Sequence, residues 1–504
     1  MVSKPNILLI TSDQQHYNTI GAFNTEITTP NLDRLVKEGT VFNRAYCPNP
    51  TCTPSRSSMI TGLYPSQHGA WALGTKLSEE VPTVGDYFQE SNYRTALIGK
   101  AHFQPLKSTE EYSSFESYPV LQDLDFWKEF NGPFYGFEHI ELARNHTNEA
   151  HVGQHYALWL EEKGCKNWRD FYLPPTGNMD PNISYKWDIP EEYHYNSWIA
   201  ERTNHLLSQY HEQDENFFLW ASFFDPHPPY LVPEPWDNMY NSEKLTLPEV
   251  VPGEHKNNPP HFQMTQEENP DFSRYVETGI GNIGFQSHTS VTKADAKRNM
   301  AVYYGMISMM DKYIGKILDK LDELGIADNT IVVFTSDHGH FFGHHGLHDK
   351  GAFHYEDLIK IPFIVRYPGK VPKGVVNNAM VSLVDLAPTF LGLTDIPIPH
   401  QMTGINQSDV WFGMKEKCRD HIICEYRTQP TMVHLKTYVD ERYKLTVYYN
   451  NYYGELYDLL EDPNELCNLW EHVEYRELRE KLLFKYIWAE LGKESMSMPR
   501  ITGA

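Results

Sequence analysis

Residues 52–62 read Cys-Thr-Pro-Ser-Arg-Ser-Ser-Met-Ile-Thr-Gly, and the fold is best worked out from this stretch. Pro54 and Ser55 favour the start of a helix, because proline tolerates the first turn and a serine oxygen can cap its free amides. Arg56 lies one helical turn beyond Cys52, so both side chains are expected on one face of that helix. A lone cysteine would be taken for a buried packing residue, but five specified positions indicate a functional motif.

Strands and helices alternate on both sides of this motif. Apolar runs predict strands at Asn6–Thr11, Thr95–Ile98, Phe217–Phe224, Thr330–Thr335 and Pro362–Tyr367. Helices are predicted at Asn31–Glu38, Val84–Glu90, Ser197–Tyr210, Lys293–Leu324 and Val384–Leu391. This alternation predicts an α/β fold, in which helices sandwich a large and mostly parallel sheet.

Two segments depart from this alternation. Residues 103–196 are rich in Tyr, Trp, His and Asn and lack clear periodicity, so we expect long loops over the carboxyl edge of the sheet, or surface decoration. Beyond Pro399, short strands are predicted at His421–Glu425, Lys436–Val439 and Arg442–Tyr449, and a helix at Tyr475–Leu491. A chain of 504 residues exceeds one ordinary core. We therefore predict a main domain at residues 1–412 and a small C-terminal α+β domain with an antiparallel sheet at 413–504.

Charge and composition exclude several classes of partner. The formal net charge is −24, so we expect neither nucleic acid nor an anionic membrane as a partner. No stretch approaches the roughly 18 apolar residues of a membrane span. The start at Met1–Pro5 shows no secretory leader, and the six cysteines contain no Cys-x-x-Cys pair. Both features predict a cytoplasmic, reducing location, where the glycosylation sequons at Asn145–Thr147 and Asn182–Ser184 would be chance matches.

Metal-binding side chains follow two of the predicted strands. Asp13 and Gln14 follow the first strand, whereas Asp337 and His338 follow the strand at 330–335. Two further candidates follow other strands: Lys100 and His227. Because sites in such sheets form beyond the carboxyl ends of the strands, we expect these residues to meet. Carboxylate and carboxamide oxygens suit a hard cation, which would take up charge on an anionic ester. Alternatively, a strand-end aspartate caps the next helix.

The order of these motifs resembles the type I sulfatases of the alkaline phosphatase superfamily from end to end. The matching segments are Pro5–Leu8 with Asp13–Gln14, Thr29–Leu35, Cys52–Gly62, Gly99–His102, Asp225–Pro229, Asp337–Gly339, Gly346–Gly351 and Gly454–Leu459. The resemblance implies an alkaline-phosphatase-like fold and hydrolysis of a sulfate monoester of a sugar, small alcohol or aryl group. It also implies a maturation enzyme as partner, which oxidises Cys52 to Cα-formylglycine. The hydrated aldehyde offers one hydroxyl for attack and a second that later expels the captured group.

The same resemblance implies a role for each matching side chain. One divalent ion, calcium or alternatively manganese, would be bound by Asp13, Gln14, Cys52, Asp337 and His338. The implied catalytic residues are Cys52, Arg56, Lys100, His102, His227 and Lys350. Arg56 would hold the formylglycine diol, and the two lysines would bind sulfate oxygens. His102 would accept a proton when the captured group is released. His227, alone or with Lys350, would donate one to the leaving alcohol. In isolation, any of these histidines or lysines could be an ordinary loop or surface residue.

Departures from the commonest sulfatase pattern leave alternatives open. Most members carry two adjacent aspartates in place of Asp13–Gln14 and often Asp-Asn in place of Asp337–His338. The Gln and His pair is also familiar from choline sulfatases and from phosphonate monoester hydrolases, so hydrolysis of phosphonate monoesters or phosphodiesters is the alternative function. Lys100 and His102 favour sulfate, because the phosphonate hydrolases tend to carry hydroxyl side chains in that loop.

Three further questions stay open in the sequence. A non-catalytic binding protein would require Cys52 to remain a thiol. The His-rich stretch 339–354 could hold a second metal ion, but it resembles a structural loop of the family, so none is expected. An oligomer is possible, and the sequence does not define its size.

Overall fold

The computed structural model describes residues 4–144, 149–173, 183–281, 283–496, 498 and 500–503. The sequon at Asn145–Thr147 and the asparagine of the second sequon, Asn182, lie outside these residues. Within the described ranges, no helix combines the length and the apolar character needed to cross a membrane.

One large sheet forms the centre of the chain. Its strands are β1 (Asn6–Ser12), β2 (Thr40–Tyr46), β3 (Arg94–Gly99), β4 (His139–Leu142), β5 (Phe217–Ser222), β6 (Thr330–Ser336), β7 (Phe363–Arg366) and β8 (Val375–Ser382). They lie in the order β4-β3-β5-β1-β6-β7-β2-β8. Neighbouring strands are parallel, except that β7 runs antiparallel to both β6 and β2. The predicted mostly parallel sheet is confirmed.

Helices pack on both faces of this sheet, and others lie in the segments that connect its strands. They are α1 (Pro30–Glu38), α2 (Cys52–Thr61), α3 (Pro65–His68), α4 (Val84–Glu90), α5 (Leu124–Glu129), α6 (Gln154–Glu162), α7 (Tyr195–Glu212), α8 (Pro260–Met264), α9 (Lys293–Glu323), α10 (Glu356–Ile359), α11 (Leu386–Leu393) and α12 (Ser408–Trp411). In β1, Leu8 and Ile10 face the core that includes α1, α7 and α9, whereas Ile7 and Leu9 face the core that includes α2, α4 and α11. Both faces are therefore apolar, as expected of a strand buried on both sides.

A second, smaller sheet lies in the C-terminal part. Its strands β9 (Ile422–Arg427), β10 (His434–Val439), β11 (Tyr443–Tyr448) and β12 (Gly454–Asp458) are antiparallel and lie in the order β12-β11-β10-β9. Helix α13 (Arg476–Gly492) packs Leu482 and Ala489 into the same apolar cluster as Leu445 and Leu456. The predicted antiparallel unit is confirmed, whereas the boundary between residues 412 and 413 stays a prediction.

Several elements differ from the sequence-based expectation. Strands β2, β4, β8 and β12 were not predicted, because their apolar periodicity is short or interrupted; the first half of β8, for example, is largely exposed. The expectation of long loops, or of surface decoration, at residues 103–196 was only partly right, because long irregular stretches are present but the region is also built into the core. That region supplies β4, α5 and α6, and its Trp127 and Trp168 are completely buried in the two main cores.

Asp311, in the middle of α9, holds the first turn of α1. Its carboxylate accepts hydrogen bonds from the backbone amides of Asn31, at 3.1 Å, and Leu32, at 2.7 Å, and from Nδ2 of Asn31 at 2.9 Å. The carboxylate is buried, so it supplies the capping partner that no local side chain gives to this helix.

Replacing Asp311 with alanine is expected to lower the free energy of unfolding by about 3 kcal/mol, because three buried donors lose their acceptor. Urea denaturation of both proteins measures this change. Asp319→Ala is the matched control, since this exposed carboxylate of α9 makes only a surface ion pair with Arg34; its removal is expected to cost less than about 1 kcal/mol. Equal losses for the two variants would contradict the capping role.

Candidate active site

The chemically active residues meet at the carboxyl ends of β1 and β6. These strands are parallel neighbours with Ser12 paired to Ser336, so the next residues, Asp13 and Asp337, emerge side by side. Cys52 is the first residue of α2 and points into the same place. All three are buried, as are six more of the predicted site residues: Gln14, Arg56, Lys100, His102, His338 and Lys350. His227 is half-buried by its overall exposure.

Four of the predicted metal ligands form one compact cluster. The ligand atoms of Asp13, Cys52, Asp337 and His338 all lie within 4.8 Å of one another. Cys52 Sγ is 3.5 Å from Asp13 Oδ1 and 3.3 Å from His338 Nε2. Gln14 borders this group: its side-chain oxygen accepts a hydrogen bond at 2.7 Å from Lys350 Nζ, which lies 3.4 Å from Cys52 Sγ.

The hydrogen bonds around this cluster leave its donor atoms suited to a divalent ion. His338 Nδ1 lies 3.0 Å from the carbonyl oxygen of Gly339, to which it donates, so the lone pair on Nε2 faces the cluster. Burial lowers the pKa of His338 to about 4, which keeps the ring neutral as a metal ligand requires. Asp337 accepts from the backbone amide of Gln14 at 3.0 Å and from Arg56 Nε at 2.8 Å. The residues therefore fit an ion bound by oxygen and one imidazole nitrogen.

Lysine side chains surround Cys52. Lys100 Nζ donates to Asp13 Oδ2 and lies 3.7 Å from Cys52 Sγ, and Lys350 Nζ lies 3.4 Å from the same sulfur. Burial raises the pKa of Asp13, but nearby cations, Lys100 first, outweigh it and hold the pKa well below its usual range. Burial and the charge of Asp13 raise the pKa of the Cys52 thiol to about 11. Unmodified Cys52 would thus be a protonated thiol, which is a poor nucleophile.

Arg56 connects the carboxyl ends of β6, β3 and β5 through hydrogen bonds. Besides the bond to Asp337, its NH1 group donates to the carbonyl oxygen of Lys100 at 3.0 Å and to Ser222 Oγ at 2.8 Å. The sequence predicted Arg56 and Cys52 on one face of a helix. The structure shows in addition that the Arg56 guanidinium contacts Asp337, one of the predicted metal ligands.

His227 and Lys350 form a hydrogen-bonded pair next to the cluster. Lys350 Nζ lies 3.1 Å from His227 Nε2, and an ammonium can only donate, so Nε2 accepts. His227 Nδ1 lies 2.5 Å from the carbonyl oxygen of Pro228 and donates to it. Burial and the charge of Lys350 hold the pKa of His227 well below its usual range. The transferable proton of this pair therefore resides on Lys350.

His102 contacts Arg144, which in turn pairs with Glu116, and the sequence singled out neither of these residues. Arg144 NH2 lies 2.6 Å from His102 Nε2, and Arg144 NH1 lies 2.6 Å from Glu116 Oε2. Glu116 Oε1 accepts from the backbone amides of Phe103, at 2.9 Å, and Gln104, at 3.3 Å. The buried Arg144–Glu116 pair thus fixes the loop that carries His102. No local pattern could have identified it, because its members lie 28 residues apart.

A second group of possible metal ligands, His16, His344 and Asp357, lies among the His-rich segments. His16 Nδ1 accepts a hydrogen bond from the backbone amide of Asn18 at 3.1 Å, so the ring proton is on Nε2, which donates to Asp357 Oδ1 at 2.9 Å. A protonated nitrogen cannot bind a metal ion. The two histidines are therefore hydrogen-bonding partners of the Asp357 carboxylate: His16 donates to it, and His344 Nδ1 lies 3.3 Å from Asp357 Oδ1.

Breaking the Arg144–Glu116 pair is expected to destabilise the protein. Arg144→Met should lower the free energy of unfolding by about 3 kcal/mol, because it leaves the Glu116 carboxylate buried without its cation. The double variant Arg144→Met/Glu116→Gln should recover part of this loss, since it removes both charges. Urea denaturation of the single and double variants measures the coupling. Strictly additive losses would show that the two side chains do not act as a pair.

Comparisons with known proteins identify the family of this chain. A family model described as sulfatase matches residues 5–396, and one described as the C-terminal part of N-sulphoglucosamine sulphohydrolase matches residues 343–489. An arylsulfatase of Clostridium perfringens (strain 13 / Type A) is 31% identical over 503 residues, which cover 97% of this chain and 95% of the relative.

Two solved structures share the fold over almost the full chain. The phosphonate monoester hydrolase of Agrobacterium radiobacter superposes with a TM-score of 0.80 at 23% identity, covering 98% of this chain and 97% of the other. BT4656, determined in complex with its substrate D-glucosamine-2-N,6-O-disulfate, superposes with a TM-score of 0.73 at 20% identity, covering 97% and 98%. At 23% and 20% sequence identity, these two likenesses establish only the fold of this chain. Because the sulfatase model spans most of the chain, this protein belongs to the sulfatase family of hydrolases that act on sulfate esters.

Proposed function

We propose that this protein hydrolyses a sulfate monoester at Cys52, which a maturation enzyme oxidises to Cα-formylglycine. One observation carries the proposal: two lysine ammonium groups, an imidazole and a carboxylate lie within 3.3 to 3.7 Å of Cys52 Sγ. A buried cysteine that only packed would have apolar neighbours. This sulfur instead occupies the point at which cations and metal ligands converge.

Two groups would supply the chemistry that the unmodified side chains lack. Hydrated formylglycine offers a hydroxyl nucleophile for attack on sulfur and a second hydroxyl for release of the captured sulfate. A divalent ion, calcium or manganese, would neutralise developing negative charge. The residues that would hold it are Asp13, Gln14, residue 52, Asp337 and His338.

The remaining charged side chains bind and orient the substrate. Lys100 and Lys350 would bind sulfate oxygens, because their ammonium groups approach the residue-52 side chain from the two flanking loops. Arg56 would hold the oxygen atoms of modified residue 52 and keep Asp337 in place. Cys52 begins α2, so the positive end of the helix dipole adds to the attraction for an anion.

Proton transfers fall to the two flanking histidines. His102 would take the proton that is lost when sulfate is released, and Arg144 would give up its hydrogen bond to His102 Nε2 in that step, because this bond occupies the accepting lone pair. The leaving alcohol would take the proton that Lys350 Nζ and His227 Nε2 share, directly from that pair, because His227 Nδ1 donates to the carbonyl oxygen of Pro228 and cannot relay it. The hydrogen bond between them therefore favours a shared acid, Lys350 with His227, over either residue alone.

Hydrolysis of phosphonate monoesters or phosphodiesters at the same site is the second candidate function. Gln14 and His338 and the shared fold with the Agrobacterium enzyme support it. Lys100 and His102 support sulfate, as does the Clostridium arylsulfatase, whose identity is higher and extends over the full chain. A sulfated sugar, a small alcohol sulfate or an aryl sulfate would each fit this assignment.

A direct comparison of substrates tests the transferred group. With formylglycine at residue 52 verified by mass spectrometry, kcat/KM for an aryl sulfate should exceed that for the matching aryl phosphonate monoester at least about tenfold. Cys52→Ala should lower kcat by about a thousandfold or more, because it removes the nucleophile. Cys467→Ala is the control, since that cysteine is exposed outside the site. A preference for the phosphonate would establish the second candidate function instead.

The leaving-group dependence of His227→Ala tests the shared acid. Alkyl sulfates need protonation of their leaving oxygen, so their kcat should fall by about 10²-fold or more, whereas nitrophenyl sulfate should lose far less. His421→Ala, in the C-terminal part of the chain, should affect both substrates equally and little. The same loss for both leaving groups in His227→Ala would remove the histidine from the protonation step.

A further inference from the structure

Hydrogen bonds fix the backbone of Gln14 at both its amide and its carbonyl group. Its amide donates to Asp337 Oδ1 at 3.0 Å, and its carbonyl oxygen accepts from the Tyr303 hydroxyl at 2.7 Å. Its φ angle of +62° lies in the left-handed region, which residues other than glycine rarely adopt. Such a conformation persists only where the surroundings hold it, and here the buried carboxamide lies between Lys350 and Asp349.

Every hydrogen-bonding atom of the Gln14 carboxamide has a partner. Oε1 accepts from Lys350 Nζ at 2.7 Å, on the side of the metal ligands. Nε2 faces His340 Nδ1, at 2.9 Å, and also donates to Asp349 Oδ1. If the amide were turned round, its oxygen would face the Asp349 carboxylate and its NH₂ group would face the Lys350 ammonium. Both contacts would be repulsive, so these neighbours select one orientation.

The two partners of Gln14 Nε2 differ in whether they could pair with a hydrogen-bond acceptor in its place. His340 Nε2 lies 2.8 Å from the Tyr230 hydroxyl, which can donate or accept, so His340 can move its proton to the other nitrogen. Asp349 has no second ring nitrogen to which a proton could move, and its Oδ1 accepts from Gln14 Nε2. It also lies at a φ angle of +63°, another left-handed position, which brings its carboxylate against Gln14. Asp349 is therefore the partner that requires a hydrogen-bond donor at the end of the residue-14 side chain.

We propose that Asp349 is a positioning residue that turns the Gln14 oxygen toward the metal ligands and requires an amide, rather than a carboxylate, at position 14. This inference rests on the metal site of the proposed function and extends it to a residue outside the ligand set. A carboxylate at position 14 would meet a second carboxylate and turn away from the cluster. The departure from two adjacent aspartates is thus explained by a neighbour 335 residues along the chain.

Charge alone predicts that a carboxylate at position 14 would increase the affinity for a cation, and the position of Asp349 predicts the opposite. An added negative charge among the ligands should tighten the binding of a cation if charge alone mattered. With Asp349 in place, Gln14→Glu should instead weaken it, because the new carboxylate is repelled from its ligating position. In an Asp349→Asn background the same change should no longer weaken binding, since the asparagine amide can donate to Glu.

Isothermal titration calorimetry of Ca²⁺ and Mn²⁺ into metal-stripped protein tests this reversal without any substrate. Gln14→Glu is expected to raise the dissociation constant about tenfold, Asp349→Asn to leave it within about threefold, and the double variant to bind at least as tightly as Asp349→Asn. Asp357→Asn is the matched control, because this buried carboxylate belongs to the His16 group. Combined with Gln14→Glu, it should give no recovery.

A second pair of variants tests the same idea with Gln14 intact. Asp349→Ala and Asp349→Asn remove the same charge, but only asparagine keeps an oxygen that accepts from Gln14 Nε2. Asp349→Ala should therefore raise the dissociation constant about tenfold, and Asp349→Asn should not. Thermal unfolding in the presence of a chelator verifies that each variant is folded.

The outcomes separate this inference from the proposed function. Tighter ion binding by Gln14→Glu, a double variant as weak as Gln14→Glu, or equal effects of Asp349→Ala and Asp349→Asn would each overturn the role of Asp349 while leaving the metal site intact. A wild-type protein that binds neither ion would overturn the metal part of the proposed function and this inference with it.

Discussion

Balance among buried charges is the constraint on which the site depends. Asp13 and Asp337 leave the ends of two adjacent strands with their carboxylates fully out of solvent. An uncompensated charge in such a position costs several kcal/mol, so each carboxylate needs a cation close by. Lys100 contacts the first and Arg56 the second. Lys100 and Lys350 also lie 3.7 and 3.4 Å from Cys52 Sγ, so the arrangement that permits burial concentrates positive charge around residue 52.

Parallel strands make this concentration of charge possible. Strands β3, β5, β1 and β6 are consecutive neighbours that point the same way, so the segments that follow them converge on one edge of the sheet. Arg56 reaches across three of these ends through its bonds to Asp337, Lys100 and Ser222. Rigid strands therefore fix the positions of the charged groups at this edge.

Supporting residues come from parts of the chain that lie far from the motifs. Arg144 and Glu116 hold the His102 loop, although both belong to the irregular region between β3 and α7. Asp349 and His340 surround the Gln14 amide from the loops after β6. Such partners determine which atom of a histidine or an amide faces the reaction, and hence what that residue can do.

The sequence by itself determined the fold class, the small antiparallel sheet and the residues that converge at the strand ends. These follow from local signals: apolar runs, helix starts, and polar side chains placed directly after strands. It did not reveal β2 and β8, the buried role of residues 103–196, the Arg144–Glu116 pair, the proton position on His227 or the orientation of Gln14. Each of these depends on atoms brought together from distant segments, and local periodicity carries no record of such contacts. Only the tertiary structure decides them, because a hydrogen bond or ion pair is defined by distance in space rather than by separation along the chain.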